Sequence, residues 1–360
     1  MDKNARQKNA FLIKCPDIHG RLNVYLLMAG AFFFFSFLTI YLLHRYCLEG
    51  RILVDPRLLS PPVIASLTLL LAIYYLADGM RLYLVVRAMN HRFPFRFIMK
   101  LVFVNIFFSN ATPMATGGGF VQIYFLSRNG FSIGEATAAT SIRTMIAALG
   151  MLTLAPVFFF LQPDLFDPFR NGNIFLYFGC IAGLYLTVIY IVLFRVRLLR
   201  VLLYVTMRFL TRKGVLSRRR FRTVFLRVSG ELSCFSDGFR TFIKGPLFYV
   251  FGSFLSTCLF LITLFSFSVV LIRGLQYEIP AVTILAIQSV LTFFMYFTPT
   301  PGAVGFAESA YMLLFSKLIN EHDVTLLTIS WRFLTIYIGV LIGILIAYRE
   351  VFRVRPGRSG

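Results

Sequence analysis

The chain has 360 residues, 58% of them hydrophobic and 14% charged, and a mean hydropathy of +0.78. A water-soluble domain has no use for that much apolar surface, so the composition excludes a soluble enzyme and points to the bilayer. The formal net charge of +21 is accounted for by an anionic membrane surface, and nucleic acid is not needed as a partner.

In chain order, Lys3, Arg6, Lys8, Lys14 and Arg21 precede the first apolar run, residues 23–43. They resemble a signal n-region. The run is long, however, and lacks a small-x-small cleavage site, so a retained first helix is expected after a cytoplasmic segment 1–22. A second span covers 63–85, with Asp78 and Arg81 near its inner end, spaced to form a local interfacial ion pair. The apolar region 97–112 then runs into a break, Thr112-Pro113-Met114-Ala115-Thr116-Gly117-Gly118-Gly119-Phe120, followed by a short apolar stretch 120–126. Ser132 and Glu135 read as a capping box for the next span, 135–160, which carries Arg143. A fourth span covers 173–194.

Residues 195–245 are a basic amphipathic linker. Arg195 to Lys244 hold 13 bases and two acids, Glu231 and Asp237, with Arg218, Arg219, Arg220 and Arg222 clustered. Its interleaved apolar residues fit helices lying on the inner leaflet. The next span, 247–272, is rich in hydroxyls (Ser253, Ser256, Thr257, Thr263, Ser266 and Ser268) that suit either a polar path or bonds to their own helix. The region 280–297 leads into a second break, Thr298-Pro299-Thr300-Pro301-Gly302-Ala303-Val304-Gly305-Phe306. The stretch 306–319, a last span 324–348 carrying Arg332, and a basic tail 349–360 follow.

The two breaks superpose without gaps at an offset of 186, from Pro113 against Pro299 to Gly119 against Gly305. Ser141-Ile142-Arg143 then matches Ser330-Trp331-Arg332, with about three residues inserted near 320–322. With the N-terminus in the cytoplasm, 28 of the 36 Lys and Arg fall inside and six outside, and the other two are Arg143 and Arg332. That asymmetry sets the orientation and puts both termini inside. The first broken pair then opens from the cytoplasm and the second from the outside. The expected fold is therefore an all-α polytopic membrane protein. It has six full spans plus two broken, re-entrant helix pairs in an inverted internal repeat, split into membrane halves 23–194 and 246–348.

Candidate site residues follow from the breaks. Pro113, Pro299 and Pro301 stop helices. Gly117, Gly118, Gly119, Gly302 and Gly305 permit positive φ and close approach, and a glycine run opening a helix suits an anion nest. Glu308, whose repeat counterpart is Gln122, and Arg143 and Arg332 each need a partner at bilayer depth. The economical arrangement pairs Glu308 with one arginine and frees the other for a lipid phosphate. No G-x-S-x-G, nucleotide phosphate loop or acidic cluster is present. The five cysteines and four histidines are scattered. No catalytic residues, metal or cofactor are expected.

The segment Pro299-Thr300-Pro301-Gly302-Ala303-Val304-Gly305-Phe306-Ala307-Glu308 resembles the signature of the lysylphosphatidylglycerol synthase transmembrane-region, flippase-like family. Asn110 to Pro113, Gly117 to Gly119 and Leu126 to Gly130 are similar to that family's other recurrent block. Ala303 stands where the family often has a second glycine. The resemblance implies a multi-pass protein of a bacterial or archaeal cytoplasmic membrane that moves or handles lipids between leaflets. With the chain stopping at Gly360, the aminoacyl-transfer reaction of the two-domain synthases is expected to be absent. Expected partners are membrane lipids bearing anionic or phosphate headgroups, with a homo-oligomer or an envelope-biosynthesis partner left open. A membrane-embedded lipid-modifying or glycolipid enzyme, and an accessory subunit or scaffold for envelope lipid assembly, are the alternatives.

Overall fold

The computed structural model describes residues 55–112, 115–161, 195–212, 218–296 and 298–353, with isolated helical positions between 30 and 41 and between 179 and 191. Regular structure among these residues is helical throughout. A 3-10 turn, Pro56–Leu59, leads into α1 (Pro61–Ala88), α2 (Phe95–Ala111), α3 (Thr116–Arg128) and α4 (Ile133–Leu161). Next come α5 (Val196–Arg212), α6 (Arg218–Ile243), α7 (Leu247–Gly274) and α8 (Ala281–Met295). A second 3-10 turn, Pro301–Ala303, precedes α9 (Phe306–Phe315), and a π turn, Phe333–Tyr337, joins α10 (Glu321–Arg332) to α11 (Ile338–Arg353).

Among the described residues, four helical stretches are long and apolar enough to cross a membrane: Pro61–Ala88, Ile133–Leu154, Leu247–Gly274 and Glu321–Arg349. They take up the expected spans 63–85, 247–272 and 324–348, and most of 135–160. The expected spans 23–43 and 173–194 lie outside the described residues but for isolated positions.

Proline sets where these helices begin. α1 opens on Pro61, while α2, α7 and α8 follow Pro94, Pro246 and Pro280. At a helix start the missing N–H has no partner to lose. α1 and α7 are both 28 residues long and lie 186 apart at each end, Pro61 to Leu247 and Ala88 to Gly274. They also close alike. Met89 and Leu275 each turn an N–H back to two helix carbonyls, and the next residues, Asn90 and Gln276, sit at φ 63° and 67°. Side chains in that left-handed region are uncommon, so sharing it at equivalent positions is a specific likeness.

α1 and α7 form the most extensive helix contact among the described residues. Tyr74 stacks on Phe260 across it at 4.9 Å. α2 lies against α11, where a Cβ on Gly343 would overlap the Phe103 carbonyl. α6 docks on α4: the Glu231 carboxylate accepts the Gly134 N–H at 2.6 Å, and Phe239 and Phe242 are buried among Leu82, Val85 and Ala139. The Ser132–Glu135 capping box is present, with Ser132 N donating to Glu135 Oε2 at 2.8 Å and Glu135 N to Ser132 Oγ at 3.1 Å.

Candidate functional site between two helix breaks

At the first break, Pro113 and Met114 lie outside the described residues. Thr112 closes α2: its hydroxyl donates to the Phe108 carbonyl at 2.7 Å and accepts the Gly117 N–H at 2.8 Å. The left-handed turn falls on Ala115, at φ 54°, and not on the glycine run. α3 starts at Thr116, not Phe120, so Gly117 to Gly119 are its first helical turn. Their use is close approach. A Cβ on Gly118 would overlap Ser109 Oγ, and one on Gly117 would lie 2.9 Å from the Phe108 carbonyl, whereas Gly119 has open space before it. Of the three glycine amides expected to form an anion nest, that of Gly117 is already taken by Thr112.

The second break is more strongly turned, with Gly302 at φ 58°, Ala303 at φ 53° and Gly305 at φ 85°. Pro301 opens its 3-10 turn. Here the glycines do supply positive φ. Ala303 holds the same left-handed backbone with a side chain, which explains in physical terms why glycine suits that position. Glu308 knits the turn together. One of its oxygens accepts the Gly305 N–H at 2.7 Å and the other accepts Arg332 Nε at 2.6 Å. Arg332 Nη2 also donates to the Gly302 carbonyl at 2.9 Å. Arg332 and Glu308 are only 2% and 4% exposed, so this is a buried, hydrogen-bonded clamp that sets the shape of the break.

Both breaks line one cavity of about 490 Å³. Ala115, Gly119 and Gln122 border it from the first, and Thr300, Gly302 and Ala303 from the second. Its charged lining comes from α1 and α4. Asp78 Oδ1 accepts Arg81 Nη1 at 3.0 Å and Arg143 Nη2 at 2.5 Å. Arg81 Nη2 donates to the Arg143 carbonyl at 3.2 Å, and its guanidinium stacks over the Phe260 ring at 4.2 Å. All three charged groups are buried.

Two expectations change here. Arg143 is not the unpaired arginine expected, because it pairs with Asp78. Asp78 and Arg81 are not a local interfacial pair, because with Arg143 they form a triad inside the molecule. The excess positive charge arises from two guanidiniums sharing one carboxylate. Arg81 Nε, Arg143 Nε, Gln122 Nε2 and Trp331 Nε1, all on cavity-lining residues, are buried donors without a hydrogen-bond partner. Such groups carry an unmet desolvation cost.

Pro299, Pro301, Gly305, Glu308 and Arg332 belong to the second break or its clamp and do not line the cavity. Arg218, Arg219, Arg220 and Arg222 fall in the opening turns of α6. The hydroxyls of Ser253, Thr257, Thr263 and Ser266 bond to carbonyls of their own helix, that of Ser268 accepts from Gln288 Nε2 at 2.6 Å and from the Tyr311 hydroxyl at 3.2 Å, and none of these residues borders the cavity. Trp331 was missed from sequence, although it immediately precedes the singled-out Arg332. Asp78 could have been found as the partner of Arg143 by asking which acids in apolar segments were available to a buried arginine.

The family model described as lysylphosphatidylglycerol synthase TM region matches residues 51–343, and the chain belongs to that family. Comparison with curated proteins gives no match. The matched region contains both breaks, the triad and the clamp, and its family and apolar helices place the chain in a membrane.

Proposed function

We propose that this member of the lysylphosphatidylglycerol synthase transmembrane-region family moves a phosphate-bearing lipid headgroup between leaflets. The observation that carries the reading is the cavity between the breaks. It has two arginines on one aspartate and a set of buried donors, and such a lining suits an anion with several acceptor oxygens. The headgroup phosphate sits at the Arg81–Arg143 side, with the acyl chains left in the bilayer.

In this reading the breaks are the facing tips of two re-entrant pairs, and the halves are inverted repeats of a six-span protein with both termini cytoplasmic. The 186-residue displacement shared by α1 with α7 and by the breaks supports a duplication. Irregular backbone at membrane depth is tolerated where it borders a polar cavity, which is where these breaks lie. The chain acts as a transporter without a resident cofactor and performs no bond chemistry. A scaffold would need no void of this size, so the cavity favours transport over that alternative.

The test is reconstitution into liposomes carrying headgroup-labelled lipids, scored by chemical quenching of the outer leaflet. Transfer of an anionic or other phosphate-bearing class above protein-free vesicles is expected. No transfer of any class would overturn the proposal.

A further inference from the structure

The transport reading leaves α5 and α6 without a role. α6 spends one face on the bundle, through Glu231 on Gly134 and through Phe239 and Phe242. α5 is then tied to α6: Arg200 Nη2 donates to Ser233 Oγ at 2.7 Å, Tyr204 meets the Phe221 and Phe225 rings edge-on at 5.8 Å, and Met207 is buried.

Among the described side chains of α5, one exposed stripe is amphipathic. Arg195, just before the helix, and Leu198, Val201, Val205, Arg208 and Arg212 recur at intervals of three or four, which places them on one helical face. All six are exposed, and Leu198, Val201 and Val205 are 54%, 61% and 56% so. With five arginines between 195 and 212, α5 is too charged to cross a bilayer. An apolar centre flanked by arginines matches a helix lying in the interface plane, with guanidiniums at phosphate level and apolar side chains just below.

We propose that α5, held by α6, is a docking platform for the anionic phospholipid surface of the leaflet it faces. Charge argues for that occupant. Residues 195–244 carry 13 bases against two acids. Of these acids, Glu231 is committed to the start of α4 and Asp237 faces Arg240 at 3.9 Å. Neither acid balances the stripe. A second copy of the chain would bring the same bases against each other. Because α6 caps α4, the helix carrying Arg143, the platform also fixes the height of the cavity relative to the lipid surface. The platform stands whether or not the cavity transports lipid.

The test uses the full chain with its native cysteines replaced by alanine and a spin label at Val205→Cys. The protein is placed in nanodiscs of phosphatidylcholine alone, or with a third phosphatidylglycerol. Accessibility to oxygen and to a water-soluble nickel chelate reads the depth. The label is expected to be immersed in the anionic discs and shallower in the neutral ones. Removing two bases as R208Q/R212Q should shift the docked-to-free ratio roughly 25-fold, at about fivefold per arginine. If that variant does not fold, raising salt on the parent protein makes the same discrimination, because screening should release the label. A label open to nickel in both discs would overturn the proposal, as would equal immersion in both. So would shielding from both relaxants, the mark of contact between copies.

Discussion

Asp78 and Arg143 lie 65 positions apart in sequence, and their side chains meet at 2.5 Å inside the molecule. The same carboxylate oxygen holds Arg81 at 3.0 Å, so one acid restrains two bases at the wall of the cavity. Everything proposed for this site depends on that two-to-one ratio.

Removing the acid should be costly. Asp78→Asn leaves two buried guanidiniums facing each other with no countercharge, and breaking a buried pair in this way costs about 3–5 kcal/mol. Thermal unfolding in detergent should show a large drop. A change within the roughly 0.5 kcal/mol typical of surface substitutions would contradict the burial argument.

Glu308 and Arg332 should behave as one unit. Arg332→Gln strands a buried carboxylate and takes a donor from the Gly302 carbonyl, whereas Glu308→Gln keeps an oxygen for the Gly305 N–H. Glu308→Gln in turn leaves the Arg332 guanidinium buried without a countercharge, so both changes should be costly. The double variant should cost less than the sum of the two, with a coupling of roughly 1–3 kcal/mol in a double-mutant cycle. Additivity would mean that the clamp does not form.

Two substitutions in the second break should move in opposite directions. Ala303→Gly relieves a left-handed alanine, worth about 1–2 kcal/mol, and gives back about 0.4–1 kcal/mol through the freer unfolded chain. It should be neutral to stabilising. Gly305→Ala forces a side chain onto φ 85° and should destabilise. Melting temperatures of the two variants, measured side by side, check the sign.

His91 gives a pH dependence outside the spans. It stacks on Phe131 at 3.8 Å, and burial lowers its pKa below the ordinary 6.5, against a smaller opposing pull from Glu135. The folded state therefore binds fewer protons than the unfolded one just below that value. This contribution is fully present above pH 6.5 and is lost as the pH falls toward the depressed value. Stability should decline over that window in the parent and more weakly in His91→Gln. Parallel pH profiles would contradict the assignment.

Much of this was legible in the sequence, because it rests on features the chain must display. Apolar runs long enough to cross a bilayer cannot be hidden, and Pro113 with Pro299 and Gly119 with Gly305 marked two helix breaks of matching sequence. The need of Glu308 for an arginine followed from the cost of burying charge, and Arg332 meets it. What the sequence left open was choice among partners. Nothing local distinguishes Asp78 bonding Arg81 alone from Asp78 bonding Arg81 and Arg143, because the second contact depends on how α1 packs against α4. Gly117 to Gly119 misled for a related reason. Glycine serves positive φ and close approach equally well, and only the nearness of Ser109 and the Phe108 carbonyl decides between them.

The most direct test of the cavity's role is Arg81→Gln in the reconstituted transfer assay. The change leaves the Asp78–Arg143 pair intact and brings the charged lining to neutrality. The account predicts roughly tenfold slower transfer of a phosphate-bearing lipid, the loss expected for one charge-assisted hydrogen bond, in a variant that remains folded and monodisperse. Transfer at the parent rate would contradict it.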